Sequence, residues 1–416
     1  MLQELFNNRN EILKNYLDII YRNRKWIFMI FVVILLCLVY AFLCVKEYQQ
    51  TEIVKQSREV IKNLEGFTNL NRENNSSANI NNMETNKVAE TSDVLKFITS
   101  MKPENRIEKK YLDNLLQLIN KEYLSKMNSV NIAARGFNSI EEISSKYNKT
   151  LLSSINLEEI TMIQDFIKKN TDKYISESKK NVWFDNIIRK SVITKGESWL
   201  EMGMPHTHDN VIIFGSGWFN NPSWKTFVHE CVHTDQRVGI GMTSYKKLYS
   251  MWGFEYYDIT KIKGMEGIII RNRHNPDAID CNWVWNCPID DNTYWIGAVF
   301  DSITPESLGD VSYIGIKLEK DSNGSNLYYN GSDMRHLYNW KVFNDYFIIN
   351  SNEYHPNEIV AEYMSIYFML NNKILDNNSN ANINLNANTN ANSNVNKLKK
   401  SKGFKIFIDW FNSLQI

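Results

Sequence analysis

The residues of this chain best suited to chemistry lie in Val228-His229-Glu230-Cys231-Val232-His233. If the surrounding stretch Trp224 to Arg237 is helical, at about 100° per residue, His229 and His233 stand four apart on one face and can grip a single metal ion. Glu230 then points at the coordination position the protein leaves open, where a carboxylate can serve as general base on a water. The pattern is HExxH, and its natural occupant is one zinc ion. With seven His in 416 residues, chance supplies roughly 0.007 such windows in a chain of this make-up. The flanks Thr226-Phe227-Val228 and Cys231-Val232 are apolar enough to bury the helix, which a solvated helix carrying two unrelated His would not need.

A second segment, His355-Pro356-Asn357-Glu358-Ile359-Val360-Ala361-Glu362-Tyr363-Met364, reads as another helix with Pro356 in its first turn. Glu358 and Glu362 are four apart in a stretch otherwise apolar through Phe368. Two carboxylates on the buried side of a helix are costly unless something cationic meets them, and a zinc ion with its His ligands would do so. His206, His208, His274 and Asp235 are the other third-ligand candidates. His206 and His208 share a strand face at i and i+2 and could pair on a metal, but their place just before an apolar run better suits the lining of a cleft or a structural role.

HExxH followed by N-E-x-x-A-E resembles the gluzincin zinc metallopeptidases. The resemblance implies that His229 and His233 are zinc ligands, Glu230 the general base, Glu358 the third ligand, and Glu362 an acceptor that supports a ligand His through its N–H. The extended form HExxHxxQ, with Gln236, is also common in proteins of this type. The activity implied is cleavage of a peptide bond in a peptide or protein substrate. The developing oxyanion needs a further donor. His355, Arg273, His274 and several Tyr could each provide one; His355 leads because it sits three before Glu358, with capping of that helix as its competing role.

The elements that must position these groups are legible in outline. Asn210-Val211-Ile212-Ile213-Phe214, ended by Gly215-Ser216-Gly217, predicts a buried or edge strand. Zinc peptidases commonly place such a strand before the HExxH helix, where a free backbone edge pairs with extended substrate. Pro222 or Ser223 offers that helix a start. Apolar residues at spacings of three and four from 93 to 181 predict a mainly helical lobe, with Asn156 and Glu159 as a capping box. From Val182 to Lys195 the chain changes character to β-branched and aromatic residues. Thr243 to Gly253 predicts a helix, 281–300 a hairpin, and Val311 to Leu318 a strand. The fold class expected is α+β, with a zincin-like catalytic domain over 182–372.

Hydrophobic residues make up 43% of the chain, enough for a sizeable core, while Lys+Arg and Asp+Glu balance at 47 each. No global field favours nucleic acid, and no such partner is expected. Residues 1–25 form a short basic segment leading into 26–45, which carry no charge. At a rise of 1.5 Å per residue that stretch reaches about 30 Å, the thickness of a bilayer core. Arg22, Arg24 and Lys25 before it against Lys46 after it place the N-terminus in the cytoplasm and the catalytic part on the exocytoplasmic side. Residues 46–92 read as a polar stalk and 373–400 as an Asn-rich segment without chemistry. Residues 401–416 predict an amphipathic helix, with Phe404, Phe407 and Phe411 docking back on the catalytic domain in preference to lying on a membrane. In an oxidising compartment Cys281 and Cys287 could pair. These readings combine into a single-pass, membrane-anchored zinc endopeptidase. Two other classes stay open: a membrane-tethered binding protein with a structural zinc site, which would have no use for Glu230, and a zinc hydrolase acting on something other than peptides.

Overall fold

Strand Val211–Phe214 is apolar at every position, and the computed structural model shows why. Ile212 and Phe214 pack with Phe227 and Val228 on one face, while Val211 and Ile213 pack with Leu112, Leu115 and Tyr147 on the other. Successive side chains of a strand point to opposite faces, so a strand covered on both sides needs no polar position. The structure describes residues 95–415 apart from 176–177, 279–281, 325, 350–352 and 371–396. The expected membrane span 26–45, its basic flank, the stalk 46–92, Cys281 and most of the Asn-rich segment lie outside the described residues. Among the described residues, no helix is long and apolar enough to cross a membrane.

The architecture is α+β, built on two sheets. In the first, β1 (Lys96–Ile98), β3 (Val192–Gly196) and β5 (Val211–Phe214) run parallel, and β4 (His206–His208) pairs antiparallel with β5 at one edge. A short β2 (Leu152–Ser153) pairs antiparallel with the end of β3. Of the buried and edge positions expected for this run, the strand takes the interior one, and the edge is β4, the His206-Thr207-His208 segment itself. Residues 93–181 are mostly helical, in α1 (Arg106–Leu118), α2 (Ser129–Ala133), α3 (Ile140–Thr150) and α4 (Leu157–Tyr174), but β1 and β2 put part of this stretch into the same sheet as β3 and β5. Asn156 caps α4 with Glu159 returning the bond, a capping box. Val182 to Ile188 belongs to α5 (Ser178–Ile188). Trp183, Phe184, Ile187 and Ile188 are all buried in the main core, and their spacing is helical.

The second sheet is antiparallel: β6 (Phe254–Tyr256), β7 (Trp283–Asn286), β8 (Thr293–Phe300), β9 (Val311–Lys320) and β10 (Leu327–Tyr328) in spatial sequence, with β11 (Met334–His336) also on β9. Between the sheets in the chain lie α6 (Ser216–Asn220), α7 (Trp224–Val238) and α8 (Met242–Trp252). Gly253 ends α8 at φ +94°, and a Cβ there would meet the Asn286 carbonyl oxygen at 2.4 Å, so glycine is required twice over. After the second sheet come α9 (Lys341–Phe347), α10 (Pro356–Met369) and α11 (Lys402–Ser413). Phe404, Phe407, Trp410 and Phe411 of α11 are buried in the main core, and Trp252 Nε1 donates to the Gly403 carbonyl at 2.9 Å. The C-terminal helix is thus docked.

One charged pair is sealed inside this fold. Arg135 holds Glu201 through Nε to Oε1 at 2.8 Å and Nη2 to Oε2 at 3.0 Å, with both side chains nearly inaccessible. The Tyr123 hydroxyl donates to the same carboxylate at 2.7 Å, and Arg135 also donates to the carbonyls of Asn131 and His274.

Candidate metal centre

Helix α7 begins at Ser223, whose hydroxyl accepts from the Thr226 N–H at 3.3 Å, and its apolar face of Trp224, Phe227, Val228, Cys231 and Val232 is buried. Helix α10 begins at His355, whose Nδ1 accepts from the Asn357 N–H at 3.1 Å. The two helices run antiparallel against each other: Asn357 meets Gln236, Glu358 meets His229 and His233, and Glu362 meets Lys225. Each step of about one turn on α10 matches a step of about one turn back on α7.

That register brings three ligating side chains together. Glu358 Oε2 lies 3.2 Å from His229 Nε2 and 3.6 Å from His233 Nε2, and the ligand atoms of all three lie within 4.8 Å of one another. A tetrahedral zinc with bonds near 2.0–2.1 Å separates its ligand atoms by about 3.3 Å, so the spacing fits such an ion. A second observation agrees. His233 is fully buried, and its Nε2 has no hydrogen-bond partner among the described residues, while its Nδ1 lies 3.0 Å from Gln236 Oε1. Buried polar atoms are normally satisfied, and a ring nitrogen facing a carboxylate across 3.6 Å is what a shared cation, a proton or a metal ion, would satisfy.

The charges here are strongly coupled. Burial opposes a charge on His233, but the carboxylates of Asp277 and Glu358 outweigh it and push the imidazole up to about 10. Burial likewise opposes ionisation of Glu358, and His233 and His229 hold it well below the usual carboxylate range. Glu230, 3% exposed, is pushed up to about 7 by burial and then by Asp277. Its Oε2 accepts from the Thr207 hydroxyl at 2.9 Å, so β4 fixes the carboxylate beside the cluster.

Other expected residues fall elsewhere. Glu362, expected to support a ligand His, pairs instead with Lys225 at 2.5 Å, because it stands one turn beyond Glu358 and faces one turn before His229. His355 caps α10 with Nδ1, which leaves Nε2 as the atom for any donation to substrate. His206 and His208 are buried, with rings in edge contact at 5.4 Å; Nδ1 of His206 lies 2.9 Å from the Met204 carbonyl, and His208 packs on Tyr123. Asp235 accepts from Trp183 Nε1, the Tyr245 hydroxyl and the Ile240 N–H, which makes it a structural acceptor. His274 is held neutral, pushed down to about 4 by burial and then by Arg135.

The turn at Asn275-Pro276-Asp277 contributes more than its sequence suggests. Asn275 Nδ2 donates to Glu358 Oε1 at 3.0 Å, and Asp277 Oδ1 accepts from the Thr207 N–H at 3.0 Å. The Thr207 carbonyl accepts from Arg237 at 2.5 Å, so both outward backbone groups of this β4 residue are taken by side chains. Glu353 is also close by: burial and then Glu362 push its carboxyl up to about 8, and its Oε2 has no hydrogen-bond partner among the described residues. Only the Asn-Pro-Asp composition hinted at the turn, and nothing local marked Glu353. Comparison of the chain with protein-family models, with curated proteins and with solved structures found no match.

Proposed function

We propose that the chain is a zinc-dependent endopeptidase of gluzincin type, anchored to a membrane through 26–45 with its catalytic part on the exocytoplasmic side. The observation that carries the reading is the triangle of His229 Nε2, His233 Nε2 and Glu358 Oε2 beside a buried Glu230. When bound, zinc supplies Lewis-acid polarisation of a carbonyl and brings a water into the neutral pH range. Glu230, held in place by the Thr207 hydroxyl, would take a proton from the attacking water and pass it to the leaving amine. A nearby cation also favours the ionised form of Glu230, the form a base needs.

The test is Glu230→Gln in the full chain. Expected is unchanged zinc content with peptide hydrolysis lower by about 10²–10⁴-fold, the range for general acid–base catalysis. Chelator-insensitive hydrolysis, or full activity in the variant, would overturn the assignment. One observation favours a second reading, a zinc hydrolase acting on something other than peptides: with Thr207 occupied on both outward groups, β4 offers no free pair there to an extended strand. Turnover of small amides or esters without peptides, still abolished by Glu230→Gln, would select it.

A further inference from the structure

We propose that two uncharged amides, Gln236 and Asn275, are positioning residues that decide how His233 and Glu358 present themselves to the ion. The inference rests on the zinc-centre reading and extends it from the ligands to what orients them.

For Gln236 the hydrogen bonds fix which end of the amide faces the ring. Its Nε2 donates to the Asn357 carbonyl at 3.2 Å and to the Tyr249 hydroxyl at 3.2 Å, and that hydroxyl in turn donates to Asn357 Oδ1 at 2.9 Å. A backbone carbonyl can only accept, so the nitrogen must point to it and Oε1 is left for His233 Nδ1 at 3.0 Å. The ring therefore carries its proton on Nδ1 and keeps the Nε2 lone pair for the ion.

Asn275 does the corresponding work on the carboxylate. Its Oδ1 accepts from the Asp277 N–H at 3.1 Å, which turns Nδ2 toward Glu358 Oε1 at 3.0 Å. With Oε1 engaged, Oε2 alone faces the two imidazoles, and Glu358 presents a single oxygen. The two amides belong to one network, since Asn357 Nδ2 donates to the Asp277 carbonyl at 2.9 Å and Arg237 holds the Pro276 carbonyl at 2.7 Å. Ligand His residues commonly hand their second N–H to a carboxylate or a carbonyl. Here a neutral amide takes that place for His233, and another neutral amide braces Glu358, so neither support adds negative charge to the centre.

The experiment uses the full-length protein and two metals. Zinc affinity is measured by competition with a chromophoric chelator in wild type, Gln236→Met and Gln236→Glu. Expected is a 10–100-fold loss in Gln236→Met, the usual cost of removing such a partner, with most of it recovered in Gln236→Glu, which keeps an acceptor for Nδ1. Cobalt(II) absorption is recorded for wild type and Asn275→Ala: freeing Oε1 lets Glu358 bind through both oxygens, and the visible band weakens as coordination number rises. Unchanged affinity in Gln236→Met, or equal losses in both Gln236 variants, overturns the role of Gln236. An unchanged cobalt spectrum overturns that of Asn275. A wild-type protein that binds neither metal overturns the centre and this assignment with it. Metal binding that follows expectation without any peptide hydrolysis supports the positioning role and counts against the peptidase reading alone.

Discussion

Arg135 with Glu201 forms one buried charged cluster, and His229 and His233 with Glu358 form another. In the first, the guanidinium meets both oxygens of the carboxylate, two tyrosine hydroxyls lie within reach of it, and the remaining donors of Arg135 go to backbone carbonyls. It is electrostatically closed. Burial disfavours a charge on Glu201, yet Arg135 holds its pKa below the usual carboxylate value. In the second cluster the donors and acceptors do not close: among the described residues His233 Nε2 has no hydrogen-bond partner, and the carboxylates pull the imidazoles toward a charged state. A pair built only to hold a fold resembles the first. The second groups three ligating atoms that could hold a metal ion.

That contrast can be broken most severely at Arg135. Arg135→Met leaves Glu201 buried without its counter-charge and should cost about 3–5 kcal/mol of folding stability by denaturant unfolding, while adding Glu201→Met should return much of it. If the single variant were nearly neutral, the closed cluster would not be holding the fold. The other cluster should respond to metal instead. Zinc at a thousandfold excess over its dissociation constant should stabilise the protein by about 4 kcal/mol, seen as a raised Tm that chelator reverses and Glu358→Ala abolishes. Equal stabilisation of Arg135→Met would mark the two clusters as independent.

The pH dependence sharpens the same point. His233 is raised from 6.5 to about 10 before metal binds, so its charged form stabilises the fold fully below pH 6.5 and that contribution fades as pH rises through about 10. Zinc needs the neutral ring. Its affinity should therefore climb with pH across this window, about tenfold per unit for each proton released, as calorimetry in buffers of different ionisation enthalpy would detect. The smallest effect belongs to Lys225, which is partly exposed beside Glu362. Lys225→Met should cost no more than about 1 kcal/mol of stability and leave zinc affinity unchanged; a large loss of zinc would mean that Glu362 does reach the ligands.

The convergence of His229, His233 and Glu358 was legible because each motif is a helical repeat of four, readable from a few adjacent residues. So were the strand at 211–214, the capping box at Asn156 and the docked C-terminal helix, all of which are local patterns of apolar spacing or capping. What escaped depends on partners distant in the chain. Arg135 is 66 residues from Glu201, and Asn275 is 83 residues from Glu358. An amide or a guanidinium carries no periodic signal that announces its acceptor. The partner of Glu362 was hidden for the same reason: the spacing from Glu358 is correct for a shared face, but only the antiparallel register of α7 and α10 shows that Lys225 stands opposite. Val182 to Ile188 is aromatic and β-branched, a content that suits a strand by propensity, and burial on one side at helical spacing makes it a helix.

The closed rim of β4 has a further consequence, one for association. A short terminal strand with a bare N–H and C=O is where another copy of a chain can add itself and start a continuous sheet. Thr207 has given both groups to side chains of its own molecule, the N–H to Asp277 and the C=O to Arg237. Copies crowded side by side therefore find no template at this position, because the two side chains that satisfy Thr207 leave it no backbone group to share.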